Sequence, residues 1–304
     1  MTSTLADVWD SMRRPWPSVV YVETVNYCNA NCVSCLNDRI VRKRRVMPDD
    51  EFRAVADKVK ARGLKIGAMF CFGEPLMDRT LEAKFAYANS IGVLAPHVGL
   101  NTNVHYLTPE RWDGLLAHTP NIILSFFNVG SEFERLTGGL SWDRCYKNAR
   151  EFIEYRDRKC PGYPIFISVN KIEGHSLENV QKAFAGYRVT YVQDAELRYY
   201  GGARIEGVVD RMIMYRDWRC DGFKGALQVK PDLGAEFCAY DIPAGQTRFG
   251  HFLEDSWGEL HDKFRQKWRR GCSLCLRCDY WHLAKRVIAN GFQPVDDPSW
   301  KEGL

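Results

Sequence analysis

The chain has 304 residues, 45% of them apolar and 13% aromatic, enough to bury the core of one large α/β domain with a small appendage. Its formal net charge of +4 comes without a basic stripe interleaved with aromatics, which gives no reason to expect a nucleic-acid partner. No apolar run is long enough to span a bilayer and the N-terminus has no apolar signal core, so a soluble, cytoplasmic protein is expected. The eleven cysteines gather at two places instead of spreading as disulfide staples, and that distribution points to metal.

Residues 1–18 form a short lead-in that contains Pro15-Trp16-Pro17. The β-branched, apolar run at 19–24 predicts a buried strand. It delivers Cys28-x3-Cys32-x2-Cys35 from its C-terminal end, where parallel barrels carry their catalytic loops. Three thiols are informative, because a structural zinc site closes on four protein ligands whereas a cubane cluster on three thiolates leaves one iron open. The dense basic run Arg42-Lys43-Arg44-Arg45 reads as a solvated loop, with a docking patch for an acidic electron donor as the sharper alternative.

Strand and helix then alternate. Met47-Pro48-Asp49-Asp50 starts a helix that buries Phe52, Val55, Ala56 and Val59 and stops at Gly63. A strand over 64–72 runs into Gly73-Glu74-Pro75, where glycine permits close backbone approach, proline stiffens the turn and a carboxylate is presented between them. Helices follow at 80–90, 109–117, 142–156 and 177–185, and strands at 97–101, 121–126, 163–170 and 189–193. Six βα units predict a parallel sheet curled into a partial barrel.

The three-cysteine loop followed about forty residues later by Gly73-Glu74-Pro75 resembles the radical S-adenosylmethionine (SAM) superfamily. The resemblance implies a [4Fe-4S] cluster on Cys28, Cys32 and Cys35, a SAM amino group held at Gly73, Glu74 and Pro75, and a SAM pocket lined by Asn101, Thr102, Ser125 and Asn170. The family usually has an aromatic residue just before the third cysteine, and here Ser34 stands there.

Beyond residue 200 the composition changes, so the chain divides into the lead-in, a barrel over 19–200 and a cysteine-rich extension over 201–304. Cys220 and Cys238 flank a hairpin with its turn at Pro231-Asp232-Leu233-Gly234, and a helix near 256–269 precedes Cys272, Cys275 and Cys278. Spacing alone allows a zinc site with four thiolates and a binding module without turnover. Beside the N-terminal motifs, the tail resembles the twitch or SPASM-like extension of radical SAM enzymes. That implies a second [4Fe-4S] cluster on Cys220, Cys238, Cys275 and Cys278, with Cys272 able to replace one of them.

The resemblance is strongest to members acting in aminocyclitol and aminoglycoside pathways, 2-deoxy-scyllo-inosamine dehydrogenases and neomycin C epimerases. It implies a 5′-deoxyadenosyl radical acting on a carbohydrate-like small molecule and a flavodoxin- or ferredoxin-type reductant. Oxidation of an alcohol with the second cluster as electron acceptor is the favoured outcome. Epimerisation with a cysteine as hydrogen donor and maturation of a ribosomal peptide are alternatives. Cys71 and Cys272 are the candidate donors among the unassigned thiols, which also include Cys145 and Cys160. Glu23 and His105, with Asp194 and Glu196, are candidate bases or substrate contacts.

Overall fold

A computed structural model describes residues 16–270, apart from 34, 36, 38, 39, 41, 97, 170–173, 193–225 and 239–244. Strands β1 (Val19–Val22) and β2 (Ile66–Ala68) pair in parallel, with α1 (Asp49–Ala61) between them in the chain. Helix α1 buries the four residues expected of it, Phe52, Val55, Ala56 and Val59. Acidic residues in its first turn and lysines in its last complement the helix dipole. After α2 (Leu81–Ser90), strands β3 (Leu100–Thr102), β4 (Ile122–Ser125), β5 (Ile165–Ser168) and β6 (Thr190–Val192) form a second, wholly parallel sheet. Helices α3 (Pro109–His118), α4 (Gly130–Thr137), α5 (Trp142–Lys159) and α6 (Leu177–Ala183) connect its strands. This is the parallel α/β core of a partial barrel.

The expected hairpin is present as β7 (Ala226–Val229) and β8 (Gly234–Glu236), antiparallel across the Pro231-to-Leu233 turn. It does not stand apart from the barrel, because β7 pairs in parallel with β1 along its whole length. Strand β9 (Arg248–His251) and helix α7 (Trp257–Arg270) complete this side, giving the order β2-β1-β7-β8-β9. Trp16 of the lead-in stacks on Phe264 of α7, with ring centroids 4.3 Å apart.

Two sequence expectations shift. The strand expected at 64–72 pairs only over Ile66–Ala68, because the chain turns early into the loop that carries Gly73. The strand expected at 97–101 forms at Leu100–Thr102. Helix α4 and strand β9 were not expected. Phe133 and Leu136, three apart and followed by Gly138, were the available signal for α4. No helix among the described residues is long and apolar enough to cross a membrane.

Candidate active site

The cysteine loop leaves the C-terminal end of β1 and is held from two sides. Asn31 N–H donates to the Thr137 carbonyl and Val33 N–H to the Leu136 carbonyl, both at 3.0 Å, so the C-terminus of α4 props up the loop. Gly138, which caps that helix at φ +67°, must be glycine, since a Cβ there would lie 2.3 Å from the Asn31 carbonyl oxygen. On the other side, a Cβ on Gly73 would lie 2.1 Å from the Val25 carbonyl oxygen, and Glu74 N–H donates to the Tyr27 carbonyl at 3.0 Å. The Gly73-Glu74-Pro75 turn therefore rests directly on the backbone that leads into Cys28.

Cys28, Cys32 and Cys35 are all partly buried on one loop. Burial, reinforced by the neighbouring thiols and Glu74, pushes the Cys28 thiol up to about 11 and raises that of Cys32 further. Ala30 N–H and the Asn103 side-chain amide both point at the Cys28 sulfur, at 3.4 and 3.5 Å. Three soft donors on one loop, with N–H groups aimed at one sulfur, fit the donor set of an iron–sulfur cluster. Among the described residues, no three His, Cys, Asp or Glu side chains close tightly round one point.

Glu74 is 3% exposed, and its carboxylate is engaged by three protein donors. Leu76 N–H and the Thr102 hydroxyl donate to Oε1 at 3.0 and 2.7 Å, and Asn103 N–H donates to Oε2 at 2.7 Å. Burial raises its pKa against these hydrogen bonds. The side chain thus clamps the turn to the end of β3. Pro75 opens a single 3-10 turn over Pro75–Met77, and beneath it the buried Lys84–Asp78 pair at 2.6 Å and hydrogen bonds from Arg111 to the Leu76 and Asp78 carbonyls brace the segment. Asn103, which the sequence does not single out, joins the two motifs, with its backbone on Glu74 and its side chain on Cys28 and Asn29.

The other expected pocket residues are partly assembled. The Ser125 hydroxyl donates to Asn101 Oδ1 at 2.7 Å across the ends of β4 and β3, while Thr102 is committed to Glu74. The ring of His105 packs edge-on against Tyr106, and burial lowers its pKa. Cys145 lies in the core of α5, and Cys160 caps that helix. Cys238 lies just beyond β8. Ser34, Asn170, Asp194, Glu196, Cys220, Cys272, Cys275 and Cys278 lie outside the described residues.

Glu23 and Cys71 fall in a second group at the ends of β1 and β2. Lys230 Nζ lies 3.5 Å from Glu23 Oε2, 4.0 Å from Glu236 Oε2 and 3.7 Å from the Cys71 sulfur. Arg42 reaches in from the basic run, 3.0 Å from Glu236 Oε1 and 3.8 Å from Glu23 Oε2. Burial pushes the Cys71 thiol up to about 12. Arg45 of the same run pairs with Glu51 and donates to the Pro231 carbonyl, so two of the four basic residues are structural and only Lys43 and Arg44 are exposed.

No curated protein matches the sequence. Among solved structures, BtrN in complex with AdoMet and 2-DOIA is similar at 17% identity over 87% of this chain and 93% of that one, with a TM-score of 0.56. Native anSMEcpe with bound AdoMet is similar at 15% identity over 86% and 88%, TM-score 0.58. Its complex with AdoMet and the Kp18Cys peptide is similar at 16% identity over 86% and 88%, TM-score 0.56. At these identities the likeness shows the shared fold. The family model for the Radical SAM superfamily matches residues 22–180, more than half of the chain. The chain therefore belongs to the radical SAM superfamily, and is a radical-generating enzyme of SAM and iron–sulfur chemistry, not a zinc module without turnover.

Proposed function

We propose that the enzyme removes hydrogen from a carbon of a sugar or aminocyclitol-like small molecule and oxidises an alcohol there. The observation that carries this reading is the knitting of Cys28, Asn103 and Glu74 into one mouth, with the buried charged group at the strand ends of β1, β7 and β8 tied to the same turn through Phe72 N–H, which donates to Glu23. When bound, SAM and the clusters supply a 5′-deoxyadenosyl radical and an acceptor for the second electron. Cys28, Cys32 and Cys35 hold the first cluster. Cys220, Cys238, Cys275 and Cys278 hold the second. The backbone of Gly73 and Glu74 orients the methionine end of SAM, with the Glu74 carboxylate as the strut that sets that backbone, and Asn101 and Ser125 line its pocket. Glu23 accepts the hydroxyl proton as the carbonyl forms.

BtrN, of the same fold, is known in complex with AdoMet and 2-DOIA, and this supports a small-molecule substrate. The peptide complexes of anSMEcpe support peptide maturation as the competing reading. Epimerisation is favoured by one feature: the Cys71 thiol stands in the same group as Glu23, its sulfur 3.7 Å from Lys230 Nζ, and a thiol can return a hydrogen atom.

Incubation of the reconstituted enzyme with SAM, reductant and candidate aminocyclitols in deuterium oxide separates these outcomes. A product two mass units lighter is expected. An inverted product carrying one solvent deuterium would assign epimerisation, and turnover of peptides alone would overturn the carbohydrate reading.

A further inference from the structure

The strands of the first sheet meet different surroundings on their two faces. Val20 and Val22 of β1, Leu227 and Val229 of β7 and Ala235 of β8 are buried in one apolar core with Phe52, Val55 and Val59 of α1. Successive side chains of a strand point to opposite faces. The register Tyr21 to Gln228 and Val22 to Val229 therefore continues to set Glu23 beside Lys230 on the other face, and the pairing of Gln228 with Glu236 adds Glu236 to it. That face, at the C-terminal ends of parallel strands, carries charge where its reverse is wholly aliphatic.

Glu23 and Glu236 are balanced by Arg42 and Lys230, so the group offers no net charge to an ionic ligand. Part of its hydrogen-bonding capacity is unspent, which a closed structural ion cluster would not leave. Among the described residues, Glu23 Oε2, Gln228 Nε2, and Arg42 Nε and Nη2 are buried with no hydrogen-bond partner, although Glu23 is only 2% exposed and Gln228 only 3%. Buried polar groups are normally satisfied within the protein, and an unmet acceptor beside unmet donors specifies its complement. A carboxylate would be repelled by Glu23, and an ammonium would answer Glu23 but face the donors of Gln228 and Arg42. A hydroxyl gives a proton and receives one, so neighbouring hydroxyls satisfy both sides.

We propose that Glu23, Gln228 and Arg42 form the subsite for neighbouring hydroxyls of a neutral, polyhydroxylated part of the substrate, Glu23 accepting a hydrogen bond and Gln228 and Arg42 donating. This rests on the small-molecule reading above and adds the residues that recognise the hydroxyls. Lys230 is a positioning residue, holding Glu23 between Phe72 N–H, which donates to Oε1 at 3.2 Å, and the open Oε2.

The test reads binding. Full-length protein, reconstituted anaerobically with iron, sulfide and SAM, is titrated with myo-inositol, glucosamine and 2-deoxystreptamine by saturation-transfer NMR, and its Tm is recorded without ligand. Wild type binds at least one of them, and Gln228→Leu and Glu23→Gln each weaken it about tenfold, the worth of one hydrogen bond to a charged or buried group. Gln228→Leu keeps or raises the Tm, because it removes a donor that has no partner in the free protein. If Glu23→Gln fails to fold, Gln228→Leu carries the test alone. Binding by both variants as tight as wild type, or a lowered Tm with unchanged affinity in Gln228→Leu, would overturn the subsite while leaving the small-molecule reading intact. A wild type that binds none of the three would overturn both.

Discussion

Glu74 and Glu23 are both buried carboxylates at the C-terminal ends of barrel strands, within 3% of complete burial, yet their surroundings differ in kind. Glu74 accepts from Leu76, Thr102 and Asn103, and it welds the cysteine loop to β3. Glu23 accepts from Phe72 through one oxygen, while the other faces Lys230 and Arg42 beyond hydrogen-bond distance. A carboxylate whose acceptors are taken up by protein is architecture. One whose second oxygen meets only ion pairs, at 3.5 and 3.8 Å, fits the proposed role of receiving a substrate hydroxyl.

The sharpest way to break this contrast is on the cofactor side. Cys32→Ala should lower SAM cleavage by more than about 1,000-fold, roughly 4 kcal/mol of barrel-mouth chemistry, with loss of iron from the loop measured by metal analysis. The brace beneath Glu74 comes next. Lys84 and Asp78 are each 1% exposed at the side chain, and Lys84→Met strands a buried carboxylate; urea unfolding should show a loss of about 3–5 kcal/mol, largely recovered in Lys84→Met with Asp78→Asn.

Smaller still, Glu74→Ala leaves three donors without their acceptor and should cost about 2–3 kcal/mol in the same measurement. Gln228→Leu on the other face should cost nothing or add up to about 1 kcal/mol. Equal losses at the two positions would erase the distinction.

Much of this was legible in the chain. The apolar faces of β1 and α1, the turn at Pro231-Asp232-Leu233-Gly234 and the two cofactor motifs are local patterns, and local patterns are what spacing records. Asn103 was not legible as a junction, because its partners Cys28 and Glu74 lie 75 and 29 residues away. Arg42 looked like part of a solvated basic run, since nothing near it in the chain announces Glu236, 194 residues on. The parallel pairing of β7 with β1 is equally non-local, and it is this pairing that turns Gln228 and Lys230 from hairpin residues into neighbours of Glu23.

A dependence on pH separates Cys71 from both carboxylates. Burial raises its thiol from 9.0 to about 12, so the folded protein keeps a proton that the unfolded chain releases. The associated stability is present below pH 9 and is lost as pH rises toward 12. The urea midpoint should therefore fall above pH 9, and less steeply in Cys71→Ser. A variant slope equal to that of wild type would show that the fold does not hold the Cys71 proton.

The most direct test is the formation of 5′-deoxyadenosine by the reconstituted enzyme under anaerobic reducing conditions, with and without aminocyclitols. The account predicts that a hydroxylated small molecule raises its formation well above the substrate-free rate and that Cys32→Ala abolishes it. A wild-type rate that no aminocyclitol raises, with stimulation by peptides alone, would contradict it.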